Sequence, residues 1–118
     1  MDSSAFVDAI KTYVADAAVE DTIANLKHPP GRRVPPDERD RSNWYNSLAE
    51  AEAAHVNAAL AEAVHQAIFG FFAVLDGARV VEAGDSGGRF ELIYEGDQRT
   101  VLNDPHSIGL HELFNAEE

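Results

Sequence analysis

SLAEAEAAHVNAALAEAVHQAIFGFFAVLDG, residues 47–77, is the stretch on which the fold turns. Val56, Leu60, Val64, Ala67, Ile68, Phe71 and Leu75 recur mostly at spacings of three and four, which places them on one broad helical face. Glu52, His55 and Glu62 fall opposite, toward water. Ser47 and Glu50 have the spacing of a capping box, so a helix is expected over residues 48–76. Phe69, Phe72 and His65 widen the apolar arc in its second half, which predicts a central helix buried on more than one side. Asp76-Gly77 reads as a chain reversal, with Gly77 as the C-cap.

Upstream, Phe6, Val7, Ile10, Tyr13, Val14 and Ala17 keep helical spacing, predicting a first helix over residues 4–19. Val19, Ile23 and Leu26 fall nearly opposite on that wheel, so a kink or a second short helix capped by Asp21 is expected. Pro29 and Pro30 end it, because proline lacks the backbone donor and restricts its predecessor. Residues 29–42 are expected to be an extended loop that need not be ordered. Downstream the period becomes two. Strands are expected at 79–82, 89–95 and 99–102, with a loop at 84–88 and a tight turn at Gly96-Asp97. Asp104-Pro105 resembles a helix start, and Ile108, Leu110, Leu113 and Phe114 supply that helix's apolar side. The expected fold is α+β in one domain, residues 1–118: helices including one long central one, a three-stranded antiparallel meander and a short closing helix.

The chain has 118 residues, 45% of them hydrophobic, which suits a folded domain with a real core. It has no cysteine, so disulfides, thiol nucleophiles and Cys-based zinc sites are excluded. The N-terminal residues do not read as a signal peptide, and the apolar passage 67–75 is shorter than a membrane span, so a cytoplasmic protein is expected. Nine Lys and Arg against 21 Asp and Glu give a net charge of −12, a field that repels phosphate backbones and argues against nucleic acid. The exception is residues 27–41. There Lys27, Arg32, Arg33, Arg39 and Arg41 outweigh Asp37, Glu38 and Asp40, leaving +2 and making the rest −14. Arg32 and Arg33 follow Pro-Pro-Gly, a stiff arm that would present two guanidinium groups. Trp44 and Tyr45 precede the long helix, placed either to seal the core edge or to meet a partner.

Three motifs promise chemistry and are outweighed. Gly84-Asp85-Ser86-Gly87-Gly88 spells the string around the serine of chymotrypsin-like proteases. That chemistry needs a histidine, an aspartate and an oxyanion hole on a double barrel about twice this length, so turn residues explain the string better. Glu52/His55 and Glu62/His65 have the E-x-x-H spacing of di-iron proteins, but both pairs lie on one helix and do not face a shared core. His106 and His111 are five apart and make a poor chelate. No phosphate- or dinucleotide-binding glycine pattern occurs, and no cofactor is expected.

HPPGRR at 28–33, WYN at 44–46, IFGFFAVLDGARVVE at 68–82, FELIYEG at 90–96 and VLNDP at 101–105 together resemble a family of small uncharacterised bacterial proteins. The resemblance runs from Lys27 to Phe114 and implies a fold and a bacterial cytoplasm, but no active site. In size and acidity the chain also resembles, more loosely, toxin-neutralising immunity proteins. The expectation is thus a non-catalytic interaction or immunity-like protein, self-associating or bound to another protein, with no metal, nucleic acid or membrane. The alternative is an enzyme or a binder of an anionic small molecule, with a pocket between the long helix and the sheet. Candidate binding residues are Arg32, Arg33, Trp44, Tyr45, His65 and Asp76.

Overall fold

The computed structural model describes residues 1–82 and 87–116. The chain is α+β, with a long central helix, a small two-stranded antiparallel sheet and a short closing helix. A helical rod comes first: α1 (Ser3–Ile10), a π-helical segment (Lys11–Asp16) and α2 (Ala17–Lys27). Asp2 caps it, its carboxylate accepting from Ala5 N–H at 2.8 Å. The two-sided apolar pattern is resolved by neither a break nor a second start at Asp21. Each i→i+5 turn holds one residue more than an α-turn, so the π segment delays the following face by roughly 100°. Phe6, Val7 and Ile10 therefore meet the core, whereas Tyr13 and Val14, expected on the same face, point to solvent. Val19, Ile23 and Leu26 are left half-buried on α2, which packs against the next two helices.

Residues 36–42, expected to be extended, are helical. They open α3 (Pro36–Ser47), with Pro35 as N-cap, Pro36 at the first position and Asp37 and Glu38 in the first turn. Proline needs no donor there and the acids face the positive helix end, so the start is physically favoured. Only residues 28–35 form the link, with Gly31 at φ 95°. Ser42 and Tyr45, one turn apart, are the buried side of α3.

The long helix α4 (Glu50–Leu75) starts two residues later than expected. Ser47 ends α3 and donates to Trp44 O, so Ser47 and Glu50 make no capping box. Glu52 instead bonds the N–H of Ala49 at 2.9 Å. At the other end Gly77 takes φ 78°, as expected of a C-cap. Ala78 N–H reaches Ala73 O (2.8 Å) and Gly77 N–H reaches Val74 O (3.1 Å), closing the last turn. By length and composition α4 could cross a membrane, its best 18-residue window having a mean hydropathy of 1.6. The nine-residue apolar run had understated it.

The sheet has two strands, β1 (Ile93–Glu95) and β2 (Arg99–Val101), paired Ile93↔Val101, Tyr94↔Thr100 and Glu95↔Arg99. The expected third strand at 79–82 does not form. The edge of residues 90–92 that faces β2 is completed by a side chain: Asn103 takes the N–H of Leu92 (2.8 Å) and the carbonyl of Phe90 (2.9 Å). Asp104-Pro105 makes a turn, with Ser107 N–H on Asp104 O at 3.0 Å. The closing helix α5 (Leu110–Asn115) begins only after Gly109, leaving Ile108 exposed.

Val7, Phe72, Leu110 and Phe114 form the core where α1, the second half of α4 and α5 meet. Phe72 stands edge-on to Phe6 and Phe114 at 6.1 and 5.5 Å, a geometry that adds roughly 0.5–1.5 kcal/mol per pair beyond burial. The half containing α2, α3 and the start of α4 holds far less: its fully buried side chains are Ser42 and Tyr45.

Candidate functional site

The six candidate binding residues do not gather. Tyr45 is buried and its hydroxyl donates to Asn57 Oδ1 at 2.7 Å, fixing α3 to α4. Its neighbour Asn46 donates to Lys27 O at 3.0 Å, satisfying a carbonyl that the end of α2 leaves open. Arg32 and Arg33 sit in the exposed bend after Gly31 and line neither groove described below. Trp44 is 53% exposed and lines the second groove described below, without Arg32 and Arg33.

Asp76 has a structural task. Gly109, the N-cap of α5, has no side chain to offer the helix's first N–H groups. Asp76 supplies the missing carboxylate from the end of α4: its Oδ2 accepts from His111 N–H at 2.9 Å and from His111 Nδ1 at 2.5 Å. A Cβ on residue 109 would stand 2.9 Å from that oxygen, so the close approach requires glycine. This is a cap supplied by another helix. Among the described residues it is also the one histidine–carboxylate pair.

His65 lies in a groove of about 940 Å³ between the rod, α4 and α5. Val19, Val64 and Phe114 make its apolar lining; Asp8, Lys11, Thr12, Asp16, His65 and Asn115 are its polar groups. His65 stacks on Phe114 with ring centres 4.7 Å apart, and its Nε2 lies 3.2 Å from Asn115 Oδ1. Lys11 Nζ stands 5.8 Å from the same Phe114 ring. Lys11, Thr12 and Asp16 of the π segment line the groove together, so the irregular part of the rod is also one of its walls. Sequence reasoning singled out His65 but not Lys11 or Asn115. The shift of the apolar face at Val19 was the available signal. This groove lies between the long helix and the rod, whereas the pocket expected from the sequence was between the long helix and the sheet.

A second, smaller groove of about 360 Å³ lies between α2, the proline link, α3 and α4. Leu26, Pro29, Pro30, Trp44, Val56 and Leu60 line it, with Glu38 and Arg41 among its polar members. Glu62 and His55 are exposed on α4, and Glu52 is the capping residue, so the two E-x-x-H pairs are apart in use as well as in space. Residues 84–86 of the protease-like string lie outside the described residues; Gly87 and Gly88 are exposed.

No protein-family model, curated protein or solved structure matches the chain.

Proposed function

We propose that this chain is a non-catalytic, cytoplasmic interaction protein that works self-associated, immunity-like in its small size and acidity. The observation that carries the reading is surface area. The chain exposes 8559 Å², against about 6,300 Å² for a compact monomer of its mass. Its radius of gyration is 18.4 Å, where about 13.5 Å is usual for this length. Phe71, Val80, Val81, Phe90 and Ile108 are all more than half exposed, the condition of a subunit awaiting its partner. Light scattering at micromolar concentration tests it: a mass above the 12.8 kDa of one chain is expected. A strict monomer, with nothing co-purifying from native lysate, would sink the reading.

A second reading, binding of a small anionic molecule, is favoured by the 940 Å³ groove, where Lys11, His65 and Asn115 offer donors. Asp8 and Asp16 line the same groove and oppose a bare anion, which ranks this reading below the first. A thermal-shift screen with carboxylate and phosphate metabolites tests it, stabilisation that Lys11→Ala abolishes being the supporting result.

A further inference from the structure

We infer that the surface for self-association is the open side of α4, and that a second copy docks there antiparallel about a two-fold axis near Ala67. The inference rests on the self-association reading and adds to it the face and the arrangement. Val56, Leu60, Ala67, Phe71 and Val74 fall within about 60° of one another around the helix. The first two lie under the Trp44 groove, covered in part by α2 and α3. Past them the same strip is open among the described residues: Ala67 is exposed, Phe71 is 62% exposed and Val74 is half-buried. Beyond Gly77 the Arg79 side chain lies on Gly70, so the chain leaves the end of α4 beside this strip. It carries Val80 and Val81, 81% and 63% exposed. One chain therefore holds, along one strip, an apolar hollow at the Trp44 end and an apolar protrusion at the Val80–Val81 end.

Antiparallel two-fold pairing sets each protrusion over the other copy's hollow, which is the self-complementarity an isologous interface requires. With the axis near Ala67, Val74 of one copy stands opposite Leu60 of the other. A parallel pair would instead set hollow on hollow and bring the two acidic first turns, Glu50 and Glu52, side by side.

Area and charge choose the occupant. The excess of about 2,300 Å² over a compact monomer is what one chain contributes to a permanent dimer interface, whose two sides together bury about 2,000–5,000 Å². Residues 63–75 contain no Asp, Glu, Lys or Arg, so here two chains of net charge −12 can approach without like charges meeting. A basic partner would find no carboxylate among residues 63–75, and anionic lipid would repel the acidic flanks.

The full chain at 1–100 µM is measured by light scattering, with circular dichroism to verify folding. Wild type is expected at twice the 12.8 kDa chain mass. Phe71→Glu and Val81→Glu, at exposed positions, are expected to fold and to raise the dimer Kd by about 100-fold or more. Ala58→Glu, on another flank, should leave it unchanged. The chain has no cysteine, so single-cysteine variants report geometry cleanly. Under oxidation Ala67→Cys should cross-link between copies and Val74→Cys should not. A wild-type dimer that both glutamate variants preserve would overturn the inference and leave the self-association reading standing. Cross-linking through Val74→Cys would overturn the antiparallel arrangement. A wild-type monomer at 100 µM would overturn the inference and, with nothing co-purifying from native lysate, the reading as well. Flotation of such a monomer with phosphatidylcholine vesicles, lost in Phe71→Glu, would assign the face to a bilayer instead.

Discussion

Asn103 joins three segments through one buried amide. Its Nδ2 donates to Leu75 O at 2.7 Å and Phe90 O at 2.9 Å, while its Oδ1 accepts from Leu92 N–H at 2.8 Å. One of those carbonyls belongs to the last turn of α4, which has no helical partner for it. Asn103→Leu leaves all three backbone groups unpaired and should cost about 2–4 kcal/mol, measured by urea unfolding. Asn103→Asp keeps the acceptor but turns an oxygen on two carbonyls, so it should be nearly as damaging despite its similar shape. If Asn103→Asp melts like wild type, the amide is not the link described. Asp76 makes a parallel case: Asp76→Ala should lose the charged cap of α5, about 1–2 kcal/mol in the same measurement. Neither role was legible from composition or spacing. By sequence Asp76 is a candidate for the pocket expected between the long helix and the sheet. Its partner, His111, is 35 residues away and is brought to it by the fold. By sequence Asn103 is no candidate, because a lone Asn after a strand is an ordinary turn residue until its burial is known.

At the scale of elements, local chemistry was readable where it acts alone and misleading where neighbours decide. Gly77 is the clearest success, since the cap requires φ 78° and only glycine adopts that without strain. Gly77→Val should destabilise the domain by about 1–2 kcal/mol in thermal or urea unfolding. A variant with unchanged melting would remove the cap assignment. The same helix-start signature, an acid beside proline, failed in two directions. At 104–105 it was read as a helix, yet Gly109 follows within a turn and His106 N–H is captured by Asp104 Oδ1 at 2.9 Å. At 35–38 it was overlooked inside a mixed-charge loop, yet twelve helical residues follow. The determining difference is what comes next: α3 finds Asn57 and Lys27 O to hold Tyr45 and Asn46, while the 104–107 turn has only itself. Val80 and Val81 have strand propensity, yet they stand exposed and unpaired, because propensity acts only where a neighbouring strand covers the residue.

For the whole molecule, the expectation that the second half of α4 is buried on more than one side holds at Phe72 and, under Arg79, at Gly70, but a third strip stays open. The core side is filled by Phe6, Val7, Leu110 and Phe114; the opposite strip faces solvent through Phe71. A period analysis detects apolar positions but cannot tell which of them are covered within the chain and which between chains. Oligomeric structure is the part of a fold that one sequence encodes least visibly. If the second copy completes the molecule, folding and association share one equilibrium, and stability must depend on concentration. Each tenfold rise in chain concentration should add about 1.4 kcal/mol per mole of dimer, moving the urea midpoint upward between 1 and 100 µM. Phe71→Glu should show a lower midpoint with no such dependence, because its transition is that of the lone chain. A wild-type midpoint that stays fixed across that range would mean that the small core of Val7, Phe72, Leu110 and Phe114 holds the chain unaided.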